Sequence, residues 1–141
     1  MPTWMLLEDE PDLYEMILAM YDIMGIGGVA FGSGEDAAEW IREVDAGRYT
    51  GEIPELALLD IRMPDHISGP MVASRMRRSP ILQHTVIVMM TAYRLSVEEE
   101  QQMMAESGAD FLLYKPLPHL DELHYVLNGL LLKYGKDRGR K

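Results

Sequence analysis

The chain has 141 residues, which is enough for one ordinary domain and too few for two. It contains no cysteine, so disulfide frameworks, thiolate metal sites and cysteine nucleophiles are excluded. Thirteen Lys and Arg residues against 23 Asp and Glu residues give a formal charge of −10. Because a nucleic-acid-binding surface needs an excess of basic residues, the body of the protein is not expected to bind nucleic acid directly.

The charge is unevenly distributed along the chain. Residues 1–132 hold 8 basic and 22 acidic residues, a net charge of −14, and are predicted to form one folded domain. Residues 133–141 hold five basic residues and one acid, a net charge of +4, and are predicted to form a basic C-terminal tail. This tail is the one segment for which contact with an acidic partner, nucleic acid included, is left open.

The sequence carries no signal for membrane targeting or insertion. Its start is not basic, and the acidic residues 8–10 follow a short apolar stretch, which is unlike a signal peptide. Apolar runs such as Val86–Met90 are far shorter than the roughly 18 residues of a membrane-spanning helix. We therefore expect a cytoplasmic protein with no membrane partner.

Short apolar runs and amphipathic stretches alternate along the sequence. The runs that predict buried strands are, in chain order, Trp4–Leu7, Val29–Phe31, Leu56–Leu59, Val86–Met90 and Phe111–Tyr114. The stretches that predict helices begin at Pro11, at Ser33 or Gly34, at Pro70, at Ser96 and near Leu120. Ser96 and Glu99 match a capping box, in which each side chain satisfies a backbone donor of the first helical turn.

This order of elements predicts the fold class. Parallel neighbouring strands need crossover connections, and helices usually provide them. We predict a single doubly wound (βα)5 domain of the flavodoxin-like type, with a five-stranded parallel sheet and helices on both faces. In such sheets ligands bind beyond the carboxyl ends of the strands.

Residues suited to phosphoryl chemistry follow four of the five predicted strands: Glu8 and Asp9, Asp60, Thr91, and Lys115. Clustered carboxylates repel one another, and a hard cation such as Mg²⁺ relieves that repulsion. With the ion bound, Asp60 is suited to attack phosphorus and form an aspartyl phosphate. Thr91 and Lys115 are suited to bind the phosphoryl oxygens.

Five short motifs occur in order along the chain: Glu8-Asp9 after an apolar strand, Asp60 within LALLDIRMP, Thr91-Ala92 after VIVMM, Gly108-Ala109 before the fifth strand, and Lys115-Pro116 after it. On these motifs the chain resembles, from about Trp4 to Leu132, the CheY-like receiver domain of bacterial two-component response regulators. The resemblance implies that Asp60 is the phosphoacceptor and that Asp9 binds Mg²⁺ directly. It also implies that Glu8 acts on the ion through water and that Arg62 binds it through the backbone carbonyl.

One departure from the family pattern concerns the switch. Receivers usually have an aromatic residue three positions before the lysine, where this chain has Leu112. Side chains alternate along a strand, so Tyr114 is predicted to share the face of Leu112. We hypothesise that Tyr114 or Tyr93 takes over part of the aromatic switch, or that the output face is read differently.

Two further departures border the predicted pocket. Arg62 lies two positions after the residue that resembles the phosphoacceptor, and Tyr93 lies two positions after Thr91. In the family, residues at these two positions influence the access of water to the acyl phosphate. Both are large, and slower hydrolysis of the phosphoryl group is expected. The loop from Pro64 to Gly69 is one residue longer than the common pattern. Asp65 and His66 are interpreted as solvated loop residues, in preference to residues that modify access to the pocket.

Three arginines close the third predicted helix: Arg75, Arg77 and Arg78. Cations at this end complement the negative pole of the helix dipole. We interpret them in that role in preference to a binding patch.

The leading functional interpretation is a phosphoacceptor switch in a two-component phosphorelay. A histidine kinase or a phosphotransfer protein donates the phosphoryl group, a downstream effector protein reads the result, and a homodimer is left open. The chain would catalyse only its own phosphorylation and dephosphorylation.

One alternative is a receiver-like interaction module that needs no phosphate. Another is a small Mg²⁺-dependent aspartyl-phosphate phosphohydrolase, which Arg62 disfavours because comparable enzymes have a second aspartate there.

Overall fold

Five strands and five helices alternate in the computed structural model, which describes residues 2–137. The strands are β1 (Thr3–Leu7), β2 (Gly27–Phe31), β3 (Leu56–Asp60), β4 (Val86–Thr91) and β5 (Phe111–Tyr114). The helices are α1 (Pro11–Ile23), α2 (Gly34–Asp45), α3 (Gly69–Arg78), α4 (Val97–Ser107) and α5 (Leu120–Asp137). All strand pairs are parallel in the order β2-β1-β3-β4-β5. The predicted doubly wound (βα)5 fold is confirmed.

Two hydrophobic cores lie on opposite faces of this sheet. Side chains alternate along β3, so Ala57 and Leu59 join the core under α2, α3 and α4, whereas Leu56 and Leu58 join the core under α1 and α5. All four side chains are fully buried. Burial on both faces explains why the central strands have continuous apolar sequences.

The helix starts follow the local signals in the sequence. Pro11 is the first residue of α1, with Glu10 as its N-cap, and Ser33 caps α2. The capping box predicted at Ser96 and Glu99 is present at α4. One start differs slightly, because α3 begins at Gly69, one residue before Pro70, with Ser68 as its N-cap.

The C-terminal helix continues beyond the predicted domain boundary. The boundary after residue 132 falls within α5, which runs to Asp137. Residues 133–137 of the predicted basic tail therefore belong to this helix, and the other four, which include Arg138, Arg140 and Lys141, lie outside the described residues. Within the described part of the chain, no helix is both long and apolar enough to cross a bilayer.

Arg77 fastens the amino end of the sheet, near the starts of β4 and β5. Its guanidinium donates to the carbonyls of Gly108 at 2.9 Å, Gln83 at 2.8 Å and Thr85 at 2.6 Å, and to Asp110 at 3.0 Å. The same Asp110 oxygen accepts the backbone N–H of Ile87 at 2.9 Å. We call these contacts the amino-end network. They join α3 to β4 and β5, a role beyond complementing the dipole of α3.

Candidate functional site

The three predicted acidic residues meet at the carboxyl end of the sheet. Glu8 and Asp9 directly follow β1, and Asp60 is the last residue of the neighbouring strand β3. Glu8 and Asp60 are buried, whereas Asp9 is exposed. Each of the three offers a carboxylate oxygen that lies within 4.8 Å of the others. The sheet topology therefore brings together the cluster that the sequence predicted.

Lys115 lies beside two of these acids. Its ammonium donates to Asp60 Oδ2 at 2.7 Å and to Glu8 Oε1 at 2.8 Å. The other oxygen of Asp60 accepts the backbone N–H of Arg62 at 3.0 Å, and Glu8 Oε2 accepts that of Glu10 at 3.0 Å. Both buried carboxylates are thus oriented at each of their oxygens.

Thr91 occupies the end of β4, next to the lysine. It is 1% exposed, and its carbonyl accepts the Lys115 N–H at 2.8 Å. Its hydroxyl oxygen accepts the N–H of Tyr93 at 3.1 Å. A hydroxyl that accepts through a lone pair keeps its own hydrogen for donation to a further oxygen.

The charges of this site are not balanced. Three carboxylates face one ammonium, which leaves a net charge of −2 when all are ionised. Burial raises the pKa of Glu8, and the negative charge of Asp60 adds to this, while the hydrogen bonds from Lys115 and Glu10 oppose it. Burial opposes the charge of Lys115, but its bonds to Asp60 and Glu8 raise its pKa overall. The ammonium is therefore firmly protonated.

The donor set suits a hard divalent cation. Clustered carboxylate oxygens with access to water are typical Mg²⁺ ligands. The cluster of Glu8, Asp9 and Asp60 borders an open cleft of about 420 Å³ that leaves room for an ion with bound waters. The residues present therefore fit a Mg²⁺ ion.

Arg62 and Tyr93 form one side of this cleft. The Arg62 guanidinium carbon lies 3.9 Å from the centre of the Tyr93 ring, which is a cation–π contact between the loops after β3 and β4. Tyr93 is 53% exposed, so the pair lies on the solvent-exposed rim of the cleft. The sequence singled out both residues by position but could not predict that they touch.

The loop after β3 is held at both ends by close backbone contacts. A Cβ atom at Gly69 would overlap the carbonyl oxygen of Asp60, and one at Gly34 would overlap that of Ile67. Glu35 accepts the backbone N–H of His66 at 3.0 Å, and this bond lowers the pKa of Glu35. Asp65, with φ of 66°, and His66 are exposed and do not line the cleft. This placement agrees with their interpretation as loop residues.

Tyr114 and Leu112 face the same side of the sheet, as the alternation predicted. Leu112 packs against the core under α2, α3 and α4, and the Tyr114 hydroxyl donates to Glu100 of α4 at 3.0 Å. Tyr114 pairs with Thr91 in the strand register, and the Arg94 guanidinium lies 4.6 Å from its ring centre. Tyr114 therefore connects the site threonine to α4 and the preceding loop.

Comparison with known families decides the class of the protein. A family model described as the response regulator receiver domain matches residues 5–128. The chain belongs to this family. None of the curated proteins with which it was compared matches significantly.

Solved structures of other receiver domains have the same fold. The response regulator TrrA of Thermotoga maritima, in complex with Mg²⁺ and BeF, is 27% identical, with 93% of this chain and 100% of that chain covered and a TM-score of 0.71. Chemotaxis protein CheY4 of Vibrio cholerae is 20% identical over 93% and 99% of the two chains, with a TM-score of 0.77. The receiver domain of a Pseudomonas aeruginosa sensor histidine kinase, with a magnesium ion in its active site cleft, is 21% identical over 92% and 97%, with a TM-score of 0.73.

The cleft of this receiver domain also includes Glu10, Met63, Pro64 and Ala92, to which the sequence analysis assigned no role. Glu10 combines two roles, because its side chain caps α1 while its N–H orients Glu8. Pro11 was the available signal, since proline favours the first helical position and thereby places the N-cap at Glu10.

Proposed function

We propose that this receiver domain is a phosphoacceptor switch in which Asp60 accepts a phosphoryl group with Mg²⁺ bound beside it. The observation that carries the proposal is the environment of Asp60. Its two oxygens are held by the Lys115 ammonium and the Arg62 N–H at the edge of an acidic, solvent-open cleft. Such a carboxylate is oriented as a nucleophile, and the cleft admits the phosphoryl donor.

The residues around Asp60 each have a defined role in the proposed transfer. A carboxylate oxygen of Asp60 attacks phosphorus, the bond between phosphorus and its donor breaks, and the donor leaves with that electron pair. Mg²⁺, held by Asp9, Asp60 and the Arg62 carbonyl with Glu8 acting through water, would offset the charge on the phosphoryl oxygens. The Lys115 ammonium then pairs with one phosphoryl oxygen, and the Thr91 hydroxyl donates to another.

The experiment that tests this function is phosphorylation by a small donor. The chain is incubated with acetyl phosphate and Mg²⁺, and intact mass is measured for wild type, Asp60→Asn and the matched control Asp65→Asn. Asp65 is an exposed acid of the neighbouring loop outside the cleft. We expect phosphorylation in wild type and Asp65→Asn and none in Asp60→Asn. Modification that persists in Asp60→Asn, or none in wild type, overturns the assignment.

We also propose that the contact between Arg62 and Tyr93 slows hydrolysis of the phosphoryl group, because the pair limits water access. The double variant Arg62→Asn, Tyr93→Glu removes the contact and is expected to shorten the phosphoryl lifetime about two- to fivefold, from the energy of an exposed cation–π pair. Lys133→Gln, which removes a cation–π contact with Tyr134 outside the cleft, is the control. An unchanged lifetime in the double variant contradicts this role.

The partners follow from the proposed chemistry. A phosphorylated histidine of a kinase or a phosphotransfer protein is the expected donor, and a downstream effector protein is expected to distinguish the two states. Phosphorylation changes effector binding only by the difference in its interactions with those states. This chain has Leu112 where receivers usually have an aromatic residue. Tyr114 is proposed to carry the change from Thr91 to α4 in its place, because it contacts Glu100 and pairs with Thr91.

A further inference from the structure

A recess between α2 and α3 is bordered by three arginines. Its volume is about 210 Å³, and it is lined by Arg42, Arg75 and Arg78 together with Asp45, Ala38 and Ile41. Ala38 and Ile41 are buried and give the recess an apolar floor. None of these residues lines the phosphoacceptor cleft. We call this recess the arginine groove.

The side chains of the groove arginines make few polar contacts within the protein. Within the described residues, the side chains of Arg42 and Arg75 form no hydrogen bond or ion pair, and that of Arg78 donates only to Ser74 at 3.0 Å. The carboxylate of Asp45 accepts a hydrogen bond from the Ser79 hydroxyl. Arg77, from the same end of α3, instead has all its nitrogens bonded to protein. The groove guanidiniums are therefore available to a ligand.

The groove contrasts with the charge of the rest of the domain. Three of the 8 basic residues within 1–132 line it, although this segment has a net charge of −14. A long polyanion such as nucleic acid would be repelled by the surrounding acidic surface. A short acidic segment has no such extended contact, and guanidinium groups bind carboxylates through paired hydrogen bonds. The apolar floor suits an aliphatic side chain beside those carboxylates.

We propose that the arginine groove is a docking surface for an acidic segment of a partner protein that presents carboxylates next to an aliphatic side chain. A groove between two helices is a common place for such a segment to bind. The proposal does not depend on phosphorylation of Asp60, because the groove shares no residue with that cleft. Arginine is also among the residues enriched at protein interfaces.

The test is a titration of the full chain with a synthetic peptide of Glu-Glu-Leu repeats, followed by backbone amide chemical shifts. We expect the largest shifts in α2 and α3, and we expect the Arg42→Gln, Arg75→Gln double variant to bind about tenfold more weakly. Arg48→Gln is the matched control, because Arg48 is exposed, pairs with Glu43 and lies outside the groove. It should retain wild-type affinity. The backbone amide spectrum of the double variant without peptide reports that it is folded.

Four results would overturn the proposal. The peptide shifts could map to another surface, or Arg48→Gln could lose as much affinity as the double variant. A single-stranded oligonucleotide that bound the groove more tightly than the peptide would identify a nucleic acid as the ligand. Shifts in α2 and α3 that depend on protein concentration without peptide would assign the groove to a second copy of this chain. Loss of phosphorylation with intact groove binding would instead affect only the function proposed for Asp60.

Discussion

Each end of the sheet has a basic side chain that forms an ion pair with a carboxylate, but the two ends differ in how completely their charges balance. At the amino end, Arg77 meets one acid, Asp110, and backbone carbonyls satisfy its other donors. At the carboxyl end, Lys115 bonds to Glu8 and Asp60, and Asp9 lies beside them. One end has balanced charge and the other has an excess of carboxylates.

This difference separates a structural ion pair from one proposed to be reactive. The side chain of Asp110 is 3% exposed and accepts hydrogen bonds from both Arg77 and the backbone of Ile87, so the network has no position for a ligand. The carboxyl-end cluster borders an open cleft and has a negative charge that its single ammonium does not offset. Unpaired charge beside open space is therefore the better indicator of function in this molecule.

Removing Asp110 should give the largest loss of stability. Asp110→Ala leaves the Arg77 guanidinium partly buried without its acid and removes an acceptor from Ile87. Loss of one partner of a buried pair is expected to lower the free energy of unfolding by about 3 kcal/mol. Urea denaturation measures this loss, with Glu43→Ala, at an exposed pair, as a control expected to change by less than about 1 kcal/mol. Equal effects of the two variants would contradict the structural role of the amino-end network.

Magnesium should raise the free energy of unfolding by binding at the carboxyl end of the sheet. At a free Mg²⁺ concentration of about 100 times the dissociation constant, the free energy of unfolding should rise by about 2.7 kcal/mol. Asp9→Asn should lose most of this increase, because Asp9 is a proposed ligand of the ion. Asp9 is exposed, so the substitution should change stability little in the absence of Mg²⁺. Thermal denaturation with Mg²⁺ and with EDTA measures the difference. An equal Mg²⁺ effect in Asp9→Asn would place the ion elsewhere.

Neutralising Asp60, the proposed phosphoacceptor, should have little effect on stability. Without Mg²⁺, Asp60→Asn weakens one bond of Lys115 but also removes one of three mutually repelling carboxylates. These effects oppose each other, so the free energy of unfolding should stay within about 1 kcal/mol of wild type. The same urea titration that measures Asp110→Ala provides the comparison. A loss as large as that of Asp110→Ala would mean that Asp60 has mainly a structural role.

The smallest expected effect concerns the connection from Thr91 to α4. Tyr114→Phe removes the hydrogen bond to Glu100 but keeps the ring under Arg94, so it should cost about 1 kcal/mol or less. Backbone amide shifts of β4 and β5 are compared with and without beryllofluoride in wild type, Tyr114→Phe and Tyr114→Ala. Tyr114→Ala should reduce the response of α4 more than Tyr114→Phe does. Identical responses in all three proteins would contradict a switch role for Tyr114.

The sequence predicted features that depend on local patterns. The continuous apolar run at Leu56–Leu59 indicated a strand buried on both faces, and the Ser96–Glu99 pair indicated the start of α4. The cluster of Glu8, Asp60 and Lys115 was also predictable, because parallel strands bring their carboxyl ends to one edge whatever the sequence between them.

Contacts between distant segments were not predictable from those patterns. Arg77 and Asp110 are separated by 33 positions, and no periodicity relates them. The stacking of Arg62 on Tyr93 depends on the conformations of two loops. Interpreting Arg77 as a dipole complement therefore omitted the long-range role that only the packed structure reveals.

The contacts of Gly34 and Gly69 also determine how this protein can change in evolution. Each glycine lies where a side chain would overlap a carbonyl oxygen, of Ile67 in one case and of Asp60 in the other. Substitution at either position would displace one end of the loop after β3, whereas residues 64–66 within this loop are exposed. Insertions and deletions in related chains should therefore accumulate within residues 64–66. The distance from Asp60 to α3 should stay fixed while this loop varies in length.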